Sequence, residues 1–186
     1  MKKSGQNIFL IGPMGSGKTT IGKQLARMFN LDFYDCDHEL ERLTGASVSL
    51  IFDLEGESGF RLREHQLLKQ LTEKKGVLIA TGGGIVCNEK NRRLLCSNGL
   101  VIYLKTSIEN QLKRLEKDKN RPLLQAEDRM QRLQDLAEVR NPLYDETAEL
   151  VFITQNSSVY ATAKALSSAI KEKLEALSPE QPHAKS

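Results

Sequence analysis

The stretch Gly12-Pro13-Met14-Gly15-Ser16-Gly17-Lys18-Thr19 carries the densest chemistry in the chain. Its pattern is G-x-x-x-x-G-K-T, a loop that wraps the phosphates of ATP or GTP. Glycine lets the backbone turn tightly around phosphate oxygens. A helix starting where the loop ends adds partial positive charge. Gly12, Gly15, Ser16, Gly17 and Thr20 would line that cradle. Lys18 would reach the β- and γ-phosphates, and Thr19 would ligate Mg²⁺. The bland alternative is a glycine turn with an exposed lysine, and the flanking pattern argues against it.

Two acids follow at Asp35 and Asp37. In extended chain, residues two apart face the same way. A kinase needs one carboxylate near the accepting hydroxyl and one near Mg²⁺, and this pair can supply both. Alone, the pair would read as a turn and a helix cap. Beside a phosphate loop the acid–base reading takes precedence. Thr81-Gly82-Gly83-Gly84 stands where many such proteins carry a metal-binding Asp. Three glycines admit a ligand against the backbone, so this loop is expected to line the acceptor, with Asp35 as the acid. Arg61 and Glu64 stand three apart, within reach on a helix. Arg121 lies in a polar excursion flanked by Arg114 and Arg140. A lid arginine would exclude water and neutralise a moving phosphoryl group. Several arginines near a small-molecule site also favour an anionic acceptor, carboxylate or phosphate. The three histidines and three cysteines form no ligand set.

These residues need a scaffold, and the chain alternates to provide one. Apolar runs at 7–11, 31–35, 77–80, 100–104 and 150–153 read as strands. Helices are expected from the phosphate loop to Phe29 and from Cys36 to about Gly45. A helical region over 47–71 is expected to break near Gly56 and Gly59. Asn88 would cap the next helix, residues around 108–115 and 128–141 are helical, and a long amphipathic helix runs from Val159 to Leu177. Strands alternating with helices give an α/β fold with a parallel sheet covered on both faces. Ligands bind beyond the carboxyl ends of such strands, where every cluster named above falls.

Bulk composition narrows the field. The 186 residues suit one domain with a real core. Residues 1–177 read as that domain, with an acceptor-binding region at about 36–71 and a lid at about 116–127; residues 178–186 read as a disordered tail. The net charge of +3 and the 5% aromatic content supply neither a basic stripe nor a stacking surface, so no nucleic acid is expected as a partner. No run is long enough to span a membrane. An odd number of cysteines without a secretory segment points to reduced thiols in the cytoplasm. Guanine-recognition and protein-kinase signatures are absent from the sequence.

Taken together, the ordered motifs resemble the shikimate kinase family over about residues 6–172. The resembling pieces are the phosphate loop, Asp35-Cys36-Asp37, Phe60-Arg61-x-x-Glu64, Leu78-Ile79-Ala80-Thr81-Gly82-Gly83-Gly84, Arg121-Pro122-Leu123-Leu124 and Arg140-Asn141-Pro142-Leu143-Tyr144. The resemblance implies a three-layer fold with a five-stranded parallel sheet of P-loop, nucleoside-monophosphate-kinase type. It implies ATP-dependent phosphorylation of shikimate with Mg²⁺, by a monomer. Carried over, Lys18 and Thr19 hold phosphates and metal, Asp35 supports the metal, and Asp37 holds the accepting hydroxyl and is the candidate base. Arg61 and Arg140 grip the shikimate carboxylate, and Gly82, Gly83 and Gly84 line the shikimate pocket. Arg121 closes with the lid, while Arg114 and, on a looser match, Gln155 approach adenine. Gluconate kinase shares the loop and general fold, but not the Arg61–Glu64 and triple-glycine set. A nucleotide sensor that transfers nothing and a nucleic-acid-dependent ATPase are the readings from other classes.

Overall fold

The five apolar runs do form the sheet. The computed structural model describes residues 6–116, 128–155 and 157–177. Its strands are β1 (Asn7–Ile11), β2 (Asp32–Asp35), β3 (Val77–Ala80), β4 (Gly99–Lys105) and β5 (Leu150–Ile153). All pairings are parallel, in the order β2-β3-β1-β4-β5. The central β1 and β3 are buried along their whole length, which is why they read as unbroken apolar runs. The edge strand β5 alternates between half-buried and exposed positions.

The described residues form seven α-helices: α1 (Lys18–Phe29), α2 (Cys36–Thr44), α3 (Val48–Thr72), α4 (Glu89–Asn98), α5 (Ile108–Leu115), α6 (Arg129–Thr147) and α7 (Val159–Leu177). The two-residue period of β1 divides the core. Ile8 and Leu10 join Leu25 of α1 and Leu166 and Ile170 of α7 on one face. Phe9 and Ile11 join Phe60, Leu67 and Leu68 of α3 and Tyr144 of α6 on the other. Expected capping is present: the Asn88 side chain accepts from the Lys90 N–H at 2.9 Å. Glu41 of α2 accepts from the Val48 N–H at 2.9 Å and so ties α2 to the start of α3.

Three expectations change. Only Gly56 breaks α3, with φ 69° and ψ −176°; Gly59 stays helical. Asp35 and Asp37 do not share an extended segment, because β2 ends at Asp35 and α2 begins at Cys36. Finally, α6 continues through Pro142 to Thr147 instead of ending near 141. An interior proline costs a helix about 3 kcal/mol. The extra turn buries Tyr144 completely, and an aromatic side chain gains a similar amount on burial, about 3 kcal/mol. Leu143 also packs against that core.

Candidate active site

The phosphate loop joins β1 to α1 and lies over the carboxyl end of the sheet. Its first glycine is dictated by crowding as well as by turning. Gly12 has φ 145°, and a Cβ there would stand 2.6 Å from the Leu104 carbonyl oxygen of β4. Lys18 reaches back along the loop, and its Nζ donates to the carbonyls of Gly12 and Pro13, both at 2.8 Å. The ammonium is thus held where the loop would carry phosphate.

A cavity of about 620 Å³ opens in front. Its lining includes Gly15, Gly17, Lys18, Thr19 and Thr20 together with Asp35, Asp37, Gly82, Gly83 and Arg114. Asp35 both caps α2 and reaches the phosphate loop. Its Oδ1 accepts from the N–H groups of Asp37 and His38 at 3.1 and 3.2 Å, capping α2. Its Oδ2 accepts from Thr19 Oγ1 at 2.5 Å. A hydroxyl and a carboxylate therefore meet beside the phosphate loop. Such hard oxygen donors suit Mg²⁺, which takes few protein ligands and keeps waters and substrate phosphates for the others.

The glycine loop after β3 is enclosed by charge. A Cβ on Gly82 would stand 2.8 Å from Glu64 Oε1 and 3.4 Å from Asp37 Oδ1. One on Gly84 would meet Arg61 Cζ at 2.6 Å. One on Gly83 would lie 3.6 Å from Arg140 Nη1 and 3.6 Å from the Met14 nitrogen of the phosphate loop. Arg61 from α3 and Arg140 from α6 thus converge on one short loop. The Arg61 Nη1 donates to Glu64 Oε2 at 2.8 Å. Burial works against the Arg61 charge, but Glu64 and Glu57 outweigh it and raise its pKa. For Glu64 the balance reverses. Burial raises its pKa, Arg61 opposes this, and nearby Asp37 adds to it, leaving a net rise. Among the described residues, Glu64 Oε1 has no hydrogen-bond partner although it is buried.

Arg114 Nη1 donates to the Gly15 carbonyl at 2.8 Å. It also borders a second cavity of about 300 Å³ with Gly17, Thr20, Thr154 and Ser157. That cavity adjoins the phosphate loop where the adenine is expected. Gln155 lies between two of its lining residues without lining it, and its backbone carbonyl accepts from the Ser157 N–H at 2.9 Å. Arg121, with the rest of 117–127, lies outside the described residues. Two participants lacked an expected role. Lys23, one turn beyond Thr19, lines the main cavity. Tyr144 donates from Oη to the Gly83 carbonyl. Its four-residue spacing from Arg140 was the available signal.

A family model for shikimate kinase matches residues 14–174. The chain belongs to the shikimate kinase family. It is 54% identical over 160 residues to shikimate kinase 1 of Hamiltonella defensa subsp. Acyrthosiphon pisum, covering 86% of this chain and 92% of that one. Against the shikimate kinase of Alteromonas mediterranea the identity is 52% over 165 residues, covering 89% and 96%. Among solved structures, shikimate kinase from Acinetobacter baumannii in complex with shikimate superposes with a TM-score of 0.88. That pair is 44% identical, covering 96% of this chain and 97% of the other. The shikimate kinase of Aquifex aeolicus gives a TM-score of 0.76 at 32% identity, with 91% and 98% covered. The five-stranded parallel sheet and its helices are the shikimate kinase form of the P-loop fold.

Proposed function

We propose that this chain transfers the γ-phosphoryl group of ATP to the 3-hydroxyl of shikimate. The products are ADP and shikimate 3-phosphate, in the route to chorismate and the aromatic amino acids. The observation that carries the reading is the approach of two guanidinium groups, Arg61 and Arg140, to the Gly82–Gly84 loop, whose Gly82 and Gly83 line the same cavity as Asp37 and the phosphate loop. Guanidinium forks match a carboxylate. A carboxylate held at that loop would set the rest of a small ring toward Asp37.

In this reading the phosphate loop and Lys18 hold the β- and γ-phosphates. Thr19 and Asp35 hold Mg²⁺, which when bound neutralises phosphate charge. The shikimate hydroxyl oxygen bonds to the γ-phosphorus as the bond from that phosphorus to the β-bridging oxygen breaks. The hydroxyl proton passes to the Asp37 carboxylate. Gly82, Gly83 and Gly84 let the ring approach the backbone. Arg114 flanks adenine, and Gln155 shapes its loop through the backbone. By its motif, Arg121 serves on a lid at about 116–127, which excludes water as the phosphoryl group moves. Catalysis is then positioning and charge stabilisation.

We also assign residues 1–177 to one kinase domain with its acceptor-binding region at about 36–71, and 178–186 to a tail outside it. We further propose that the chain acts as a monomer. Three free cysteines support a cytoplasmic setting. No helix among the described residues is long and apolar enough to cross a membrane. ADP release from Mg·ATP tests the reading, comparing shikimate, gluconate, a nucleoside monophosphate and no acceptor. Release only with shikimate is expected. Release with another acceptor would discard the substrate, and silence with all four would favour a nucleotide sensor.

A further inference from the structure

Behind the glycine loop lies a hydroxyl that the chemistry above does not use. Tyr144 is fully buried on α6 and does not line the main cavity. Its Oη donates to the Gly83 carbonyl. The Arg140 guanidinium, one helical turn earlier, approaches the same loop residue, its Nη1 3.6 Å from where a Gly83 Cβ would stand. The Tyr144 ring packs on Tyr103 of β4 with centroids 4.9 Å apart, and Tyr103 Oη donates to Asn141 Oδ1 at 3.3 Å. Burial pushes the Tyr144 phenol well above the usual tyrosine value, with Arg140 opposing, so it remains a donor at physiological pH.

The geometry gives this bond leverage. The Gly83 carbonyl belongs to the planar peptide joining Gly83 to Gly84, so fixing its oxygen also fixes the direction of the Gly84 N–H. The neighbouring carbonyls are already held: Gly82 accepts from the Ile85 N–H at 3.2 Å, and Gly84 from the Cys87 N–H at 3.1 Å. Three consecutive glycines have the most conformational freedom to lose, and the middle carbonyl is the one bonded to a side chain from another element. A fork-shaped grip on a carboxylate tolerates only about 0.5 Å of misplacement.

We propose that Tyr144 is a positioning residue for the acceptor, whose single hydroxyl sets Arg140 against the Gly82–Gly84 loop before substrate arrives. The inference rests on the shikimate reading above. Tyr144→Phe keeps the ring packing and deletes the hydroxyl. The KM for shikimate should rise about tenfold, while kcat and the KM for ATP stay within about twofold. Tyr103→Phe is the control. It removes a hydroxyl from the same aromatic pair that does not touch the loop, so it should lower the melting temperature and leave the shikimate KM within about twofold. An unmoved shikimate KM in Tyr144→Phe, or equal shifts for both substrates, would overturn the proposal. If Tyr144→Phe does not fold, backbone order parameters of the unliganded wild type decide. Values for Gly83 and Gly84 near those of β3, about 0.85, are expected; values below about 0.6 would show that the loop is not preset. Wild-type enzyme without shikimate-dependent turnover would overturn the substrate reading itself. Normal wild-type turnover with an unmoved Tyr144→Phe would overturn the positioning alone.

Discussion

The two sides of the cleft are built by different means. The phosphate side is one contiguous loop, and its working surface is backbone plus Lys18 and Thr19. The acceptor side draws Arg61 from α3, Arg140 from α6 and Gly82–Gly84 from the turn after β3. A ligand site made of backbone depends on a local turn. A site made of side chains from three elements depends on packing throughout that face of the sheet. Damage on the phosphate side should therefore stop turnover, and damage on the acceptor side should first weaken recognition.

The largest expected effect lies where the two sides meet. Asp37→Asn should lower kcat by about 10³-fold, within the range of general-base losses, and leave shikimate binding nearly intact. Wild-type-like turnover would remove Asp37 as the base. On the acceptor side, Arg140→Ala should raise the shikimate KM by roughly 10- to 100-fold, as loss of a charge-assisted bond implies, with little change in the KM for ATP. Equal loss for both substrates would erase the distinction between the sides. Asp35→Asn separates cap from metal support. Asparagine caps a helix as well as aspartate does, so the melting temperature should move by only a few degrees. The Mg²⁺ needed for half-maximal rate should rise about tenfold. A large thermal loss with unchanged Mg²⁺ dependence would make Asp35 structural.

A smaller effect concerns Glu64, whose raised pKa has a defined sign. Between the ordinary value of 4.5 and the higher folded value, the folded state binds more protons than the unfolded state. Stability should therefore fall as pH rises through that window. Glu64→Gln should flatten the slope, measured as melting temperature against pH, and loosen Arg61. A slope unchanged by the substitution would place its source elsewhere.

The same contrast explains what could be read from the chain. The phosphate loop lies in eight consecutive residues, and a strand and a helix had to flank it. The Arg61–Glu64 pair follows from three-residue helical spacing and is present at 2.8 Å. The convergence of Arg61 and Arg140 on Gly82–Gly84 joins segments far apart in sequence, so only a family resemblance, not spacing, pointed to it. Tyr144 went without a role because the helix was expected to end near residue 141, before Pro142. Burial of the following turn overrides that local rule. Asp35 and Asp37 were expected to face the same way as in extended chain, yet Asp35 ends the strand by capping the helix that carries Asp37.

The most direct test of this division is a calorimetric shikimate titration without nucleotide, comparing wild type, Lys18→Ala and Arg140→Ala. Wild type and Lys18→Ala should bind within about twofold of each other, and Arg140→Ala at least about tenfold more weakly. Absence of binding to the wild type, or equal weakening in both variants, would contradict an acceptor site assembled on its own side of the cleft.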